Sequence, residues 1–423
     1  MTGVRSGTGR RLRVVVVDHT AELGGAEVAL LRLLRALGET DAGVDVSVLL
    51  FRDGPLVDAL REAGVPVRVV PLAADVTGVD RATAGRASWA NLVRAARVVP
   101  FVAGLARRWC RTRPDLVVTT SLKADLLGGV AARLAGRRLV WHLHDRIADD
   151  YLPGPLVRLV RTASRLLPHL VVANSQATAA TLPVRCVVVP PGIGDDWVLD
   201  KAAVAARRAP GAHPVVGLVG RISPTKGQLE LVRAAALVAD DHPGAVFRIV
   251  GGTLFGGDDY AEQVRAEQAR LQERQSALQV EWTGFVADPR AQVDDLDVLV
   301  HASPVPEPFG QVIVEAMVRG VPVVATRAGG AVEIVAPGPD AGQDSGQLGV
   351  LVTPGDPRAL ADGIRAVLDD PAAARARALA AHASAVRRFG ARDTAARVSE
   401  AWHRVARGQT GTIRTDRAAG WSS

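Results

Sequence analysis

The stretch "LRVVVVDHTAELGGAEVALLRLLRALGETDAGVDVSVLL", residues 12–50, decides the fold class. Residues 12–17 are apolar apart from Arg13, and 14–17 are an unbroken β-branched run of valines. They lack the alternation of a half-exposed strand and read as a strand buried on both faces of a parallel sheet. A glycine-bearing loop then runs into an amphipathic helix from about residue 26, and "DVSVLL" closes the stretch as a second strand. Strand, helix, strand is the unit that joins parallel neighbours through a crossover. The cycle recurs outward from there. "GPLVDALREAG" reads as a helix, "VPVRVVP" as a strand, and 89–110 as a long helix broken or bent near Pro100. Strand 114–120, helix 124–134, strand "RRLVWHLHD", helix 155–167 and strands 169–173 and 186–190 follow. Such repetition implies a parallel sheet covered on both faces.

Residues 191–213 change character, with prolines, glycines and mixed charge, and read as an interdomain boundary. A second cycle opens at strand 214–219 and helix 226–239. Strand 245–250, helix 260–278 and a short strand near 279–283 continue it. Strand 296–300, helix 309–319, strand 322–325 and a short helix near 330–335 come next. Strand 348–352 and helices 356–369, 372–388 and 391–406 complete it. A single sheet of that many strands would split. The expected organisation is a flexible 1–10, a first α/β domain over 11–200 and a second over 201–390. A C-terminal helix, 391–407, follows, and 408–423 is a flexible tail. The two domains are expected to face a cleft.

Composition narrows the function classes. An apolar share of 48% against 22% charged residues supports a large core and excludes disorder over most of the chain. The two cysteines, Cys110 and Cys186, stand 186 − 110 = 76 positions apart, which excludes a disulfide scaffold and gives no zinc spacing. The longest strongly apolar stretch, 98–106, is about half a bilayer crossing, and the N-terminus does not make a complete signal peptide. A cytoplasmic protein is expected, with peripheral contact at the inner membrane face as an option. The net charge is 51 − 44 = +7, carried almost wholly by arginine, since Lys123, Lys201 and Lys226 are the only lysines. Without zinc fingers, aromatic-basic interleaving or a separate basic domain, no nucleic-acid partner is expected.

Polar residues gather where strands end. In "VGLVGRISPTKGQLELVRAA" Arg221 and Lys226 flank the carboxyl end of a strand, with Lys226 near a helix N-terminus. A cation there opposes the helix dipole, and an anionic ligand would resolve the mismatch. Two surface cations on a turn is the bland alternative, and no P-loop pattern is present. In "HASPVPEPFGQVIVEAMVRGVPVVATRAGG", residues 301–330, Glu307 sits between two prolines on a stiff loop. Gly310, Gln311, Val312 and Ile313 are read as supplying the free backbone N–H groups of the next helix. Glu315, in its second turn, has the geometry to accept two hydroxyl hydrogen bonds, as a ribose diol would offer. In the first domain Gly24 and Gly25 permit close backbone approach, although "GGAE" is no dinucleotide fingerprint. Asp18, His19, His142, His144, Asp145, Asn174 and Ser175 end strands on one edge. The two histidines lack the helical spacing of a metal pair.

Taken together these residues resemble the retaining glycosyltransferases of family four, with the two-Rossmann-like-domain fold called GT-B. The resemblance covers residues 12–406 and implies that the C-terminal helix, 391–407, crosses back to the first domain. Its most specific parts are the Glu307–Glu315 block, "PEPFG…EAM…G.PVVAT..GG", and "GRISPTKG". It implies a nucleotide-diphospho-sugar donor held mainly by the second domain, with a uridine base favoured over guanosine or adenosine. Arg221 and Lys226 match the diphosphate ligands, and Glu315 matches the ribose ligand. Glu307 matches the residue near the transferred sugar, and the 310–313 backbone the amides that orient it. Gly25 matches a first-domain residue approaching the diphosphate, and His144 a histidine near sugar and acceptor. Where many members read Pro-Asn-Gly, this chain reads Pro190-Pro191-Gly192, which removes a side-chain amide. The reaction implied is transfer to a hydroxyl acceptor without metal or other cofactor. The acceptor is a small natural product such as an aminocyclitol, or a lipid or polysaccharide precursor. A sugar-nucleotide epimerase, a phosphorylase or a non-catalytic binding protein of the same fold are the alternatives.

Overall fold

The computed structural model describes residues 10–72, 89–208, 210–253, 257–338 and 347–409. The ends expected to be flexible lie outside these residues except for Arg10, Gly408 and Gln409. The chain forms two compact units. Among the described residues, one contains those up to Asn174, Thr178–Gly192 and residues 391–409. The other contains Ser175–Ala177 and Ile193–Gly390.

The first unit alternates strand and helix. Its strands are β1 (Leu12–Asp18), β2 (Val44–Leu50), β3 (Val67–Val69), β4 (Leu116–Thr119), β5 (Arg138–Leu143), β6 (Leu170–Ala173) and β7 (Cys186–Val188). The helices between them are α1 (Gly25–Glu39), α2 (Pro55–Glu62), α3 (Trp89–Thr112), α4 (Leu122–Leu134) and α5 (Gly154–Leu166). The short α6 (Gln176–Ala179) precedes β7. All strands pair in parallel, in the order β3-β2-β1-β4-β5-β6-β7. The reason β1 carries the unbroken run Val14–Val17 is visible in its packing. Val14 and Val16 join a core built with α1 and α2, and Val15 and Val17 face the opposite core built with α3, α4 and α5. α3 is one continuous helix through Pro100, where the sequence suggests a break or a bend. Val102, Leu105 and Trp109 bury the turns that follow, which offsets the one hydrogen bond that proline forfeits.

The second unit holds β8 (Val215–Val219), β9 (Val246–Val250), β10 (Gln279–Gly284), β11 (Val298–His301), β12 (Val323–Thr326) and β13 (Val350–Val352), all parallel. Their order is β10-β9-β8-β11-β12-β13. Its helices are α7 (Lys201–Ala205), α8 (Gln228–Val238), α9 (Asp258–Gln272), α10 (Arg290–Asp294), α11 (Gln311–Val318), α12 (Gly330–Val335), α13 (Pro357–Leu368) and α14 (Pro371–Arg388). Two further cores cover the sheet, one built with α8 and α13, the other with α11, α12 and α14. α7 lies inside the stretch read as a boundary, capped by the Asp200 carboxylate, which accepts from Ala203 N at 2.7 Å.

Apart from the short excursion at Ser175–Ala177, the described chain changes unit after Gly192 and again after Gly390. Just before the first of these, Pro190 O accepts from the Thr394 hydroxyl at 3.1 Å. A Cβ on Gly192 would stand 2.5 Å from Ala391 Cα, so the Pro-Pro-Gly turn serves packing. The last helix, α15 (Ala391–Ala406), belongs to the first unit, where Val398, Trp402 and Val405 are fully buried against the α1 side of the sheet. In both sheets the strand order reverses once, at β1/β4 and at β8/β11. Ligands of open α/β sheets bind beyond the carboxyl ends of strands at such reversals.

Candidate functional site

The β8/β11 reversal brings two loops together. The first, Gly220–Gly227, ends in a turn in which Lys226 N donates to Ser223 O at 2.9 Å. Gly227 has φ +80°, and a Cβ on it would lie 2.0 Å from Ala302 O. Only glycine lets this turn lie against the end of β11. Gln228, fully buried at the start of α8, ties the loop to itself. Its Nε2 donates to Arg221 O at 2.9 Å and its Oε1 accepts from Ser223 N at 3.4 Å.

The second loop carries Glu307. Its carboxylate is 7% exposed and accepts from Lys226 Nζ at 2.6 Å on Oε1. Ser303 Oγ stands 3.2 Å from the same oxygen and also reaches Thr225 O. His301 Nε2 lies 3.2 Å from Oε2, and His301 Nδ1 is 3.4 Å from Thr326 Oγ1. Burial raises the Glu307 pKa, but the charges of Lys226 and His301 and their hydrogen bonds outweigh it and hold the carboxyl far below the usual range. The backbone is as constrained as the side chain. Gly330 N donates to Glu307 O at 3.0 Å, and a Cβ on Gly329, φ +61°, would lie 2.1 Å from that oxygen.

Of the residues singled out in sequence, the fold joins Lys226 and Glu307 directly, and Arg221 begins the same loop as Lys226. α11 starts four residues after Glu307, with Gly310 as its N-cap at φ +111° and Glu315 half-buried on its second turn. One reading is corrected here: the Ile313 N–H is not free. It donates to Gly310 O at 3.0 Å, because the first turn closes on its own cap, and the Ile313 side chain is fully buried.

Gly25 and His144 belong to the first unit, at its own reversal. Gly25 is the exposed first residue of α1. Asp18, at the end of β1, is buried. It accepts from Thr120 Oγ1 at 2.6 Å and Thr20 N at 3.1 Å, with His19 Nδ1 at 3.3 Å. Glu27, third residue of α1, folds back on the helix start, so that a Cβ on Gly24 would meet its Oε2 at 2.6 Å. Burial, then the charges of Asp18 and Asp145, push its carboxyl up to about 8. The His144 ring is 4.7 Å from that of His142. Its pKa is lowered by burial, against Asp145 and Asp18, and its Nε2 has no hydrogen-bond partner. Asn174 Nδ2 donates to His144 O at 3.3 Å.

The residues sequence reasoning missed are those that support these groups: Gln228, His301, Ser303, Thr326 and Glu27. His301 had a signal, a polar residue ending an otherwise apolar strand. Glu27 had another, the capping-box spacing after Gly24. Gln228 had none.

Comparison with known proteins shows the family. Residues 23–197 match the family model described as Glycosyltransferase Family 4, and residues 201–384 match Glycosyl transferases group 1. The D-inositol 3-phosphate glycosyltransferase of Streptomyces scabiei is 31% identical over 73% of this chain and 72% of that protein. The protein of the same name from Thermobispora bispora is 29% identical over 90% of each. Among solved structures, HepE of Anabaena in complex with UDP-glucose is 28% identical, with a TM-score of 0.75 over 93% of this chain and all of that one. A sucrose-phosphate synthase from Thermosynechococcus elongatus, 20% identical with TM-score 0.72 over 94% of this chain and all of that one, shares the fold. With two such matches end to end and a relative of 31% identity across most of both sequences, the chain belongs to glycosyltransferase family four and is an enzyme of the hexosyltransferase class on the GT-B fold.

Proposed function

We propose that this enzyme transfers a hexose from a uridine-diphospho sugar to a hydroxyl acceptor with retention at the anomeric carbon, using no metal. The observation that carries the reading is the Lys226–Glu307 pair at the β8/β11 reversal, with Arg221 on the same loop. HepE, at 28% identity, was crystallised with UDP and with UDP-glucose, which supports uridine as the base.

The chemistry follows from charge. When the anomeric C–O bond breaks, the sugar gains positive and the departing diphosphate negative character. Arg221, Lys226 and the N-terminus of α11 answer the negative charge. An ammonium carries three N–H bonds. The Glu307 contact uses one and fixes the Lys226 side chain in direction, so no reorganisation is needed as the bond breaks. Glu307, held ionised, orients sugar hydroxyls and offsets positive charge at the ring. Glu315 accepts from the ribose hydroxyls. In same-face transfer the acceptor oxygen bonds to the anomeric carbon, and its proton passes to the leaving phosphate oxygen. No protein nucleophile is required. The assignment of Gly25 and His144 to this reaction rests on the resemblance, and the acceptor belongs to the first unit.

Calorimetric titration with UDP, GDP and ADP tests the donor reading, with UDP expected to bind tightest. Binding of none of them by folded enzyme overturns it. Proton NMR of the first product formed tests retention, and an inverted anomeric signal rejects same-face transfer.

A further inference from the structure

In the first unit, α3, α4 and α5 form one layer on one face of the sheet, sharing a single core that includes Leu105, Ala131 and Val160. α1, α2 and α15 cover the other face. The outer surfaces of the two layers differ. Every large apolar side chain exposed in this unit, among the described residues, sits on the first layer: Val99 on α3, Val130 and Leu134 on α4, Leu159 and Leu166 on α5. Leu134 and Leu166 are 67% exposed and Leu159 is 53% exposed. Arginines stand among them: Arg107 and Arg111 on α3, Arg133 on α4, Arg158 and Arg165 on α5. α3 and α5 contain no Asp or Glu at all, and the single acid of α4, Asp125, is fully buried.

The other layer is an internal control for the arginine-rich composition. It carries arginines too, but α1 mixes them with the exposed Glu39, α2 with Asp58 and Glu62, and α15 with Asp393 and Glu400. Composition alone would have spread both signs over both faces. Helices whose described outer residues are cationic, leucine-bearing and free of exposed acid suit neither bulk water nor an ordinary protein surface. Leucines flanked by arginines are instead the pattern that enters the headgroup boundary of an anionic bilayer. A second copy of this chain fits poorly, because a two-fold contact would set these arginines against themselves.

We propose that the outer face of α3, α4 and α5 docks the enzyme on a negatively charged lipid surface. The leucines enter the interface and the arginines hold the headgroup phosphates. This docking is independent of the donor site.

Co-sedimentation of the full chain with vesicles tests it. Binding is expected with phosphatidylglycerol mixed into phosphatidylcholine, not with phosphatidylcholine alone, and it should weaken as salt rises. Arg158→Gln with Arg165→Gln should bind ~5-fold more weakly per arginine, so ~25-fold in all. Leu159→Ser with Leu166→Ser should also weaken binding, while Arg35→Gln on the opposite layer should not. Circular dichroism of each variant separates loss of docking from loss of fold. Equal binding to both vesicle types, binding to neither, or an equal loss in Arg35→Gln overturns the proposal. Self-association abolished by the same leucine and arginine variants, with no vesicle binding, also overturns it and assigns the face to a second copy.

Discussion

At the scale of single residues the two reversals hold opposite electrostatic solutions. Glu307 is buried and ionised because Lys226 and His301 hold its pKa down, whereas burial and the neighbouring Asp18 and Asp145 push the Glu27 carboxyl up to about 8. A carboxyl whose folded pKa lies above its unfolded value, about 4.3, binds its proton more tightly when folded. Its stabilising effect is fully present below that unfolded value and is lost as pH rises toward 8. Glu27→Gln keeps a capping side chain at this position and removes the ionisation. Urea unfolding across this range should therefore show the wild type losing stability relative to the variant. A variant that loses more than the wild type refutes the assignment. A kinetic prediction concerns the donor groups. Glu315→Ala removes contacts to ribose, far from the breaking bond, so the donor KM should rise with kcat less affected, a loss of roughly 1.5–3 kcal/mol. Lys226→Ala should lower kcat together with kcat/KM, because its partner gains charge in the transition state. His144→Ala should follow Lys226 if its unpartnered Nε2 meets the reacting sugar. Steady-state kinetics of the three proteins decide this. An intact kcat in Lys226→Ala beside an abolished one in Glu315→Ala would reverse the roles.

At the scale of elements, the loop from β8 to α8 is held by what it cannot contain. A Cβ on Gly227 would meet a backbone oxygen, which cannot swing aside as a flexible side chain could. The left-handed φ adds strain. Gly227→Ala should therefore displace the turn that carries Lys226, at a cost of roughly 1–3 kcal/mol. Thermal denaturation should show a lower midpoint, and UDP titration a weakened site. An unchanged midpoint with unchanged binding would show that the loop adapts. α15 illustrates the reverse case, an element placed by what it fills. Its buried stripe of Val398, Trp402 and Val405 completes the first unit's core, although it follows the whole second unit in sequence.

At the scale of the whole molecule, each unit has its own parallel sheet, its own two cores and its own reversal of strand order. The donor chemistry proposed for the second unit uses side-chain cations and a helix N-terminus where a divalent ion would otherwise neutralise the diphosphate. Turnover in excess chelator should retain most activity. Complete loss, restored only by a divalent cation, would reject that account.

The sequence alone determined the order of strands and helices, the parallel character of the sheets and the family. Buried parallel strands are read from their uninterrupted apolar runs, such as 14–17 and 298–300, and βα repetition leaves few topologies open. The residues Arg221, Lys226, Glu307 and Glu315 were legible because they interrupt apolar periodicity at strand or helix ends. Tertiary structure alone decided their partners. That Lys226 grips Glu307 across 81 positions, that His301 and Ser303 support the same carboxylate, and that Gln228 locks the loop all depend on β8 and β11 being neighbours in the sheet. The exposed leucines of α4 and α5 likewise became a face only once three helices lay side by side on one core. Local sequence encodes periodicity and turn chemistry over a few residues. Contacts between distant segments arise from burial, which is a property of the packed chain.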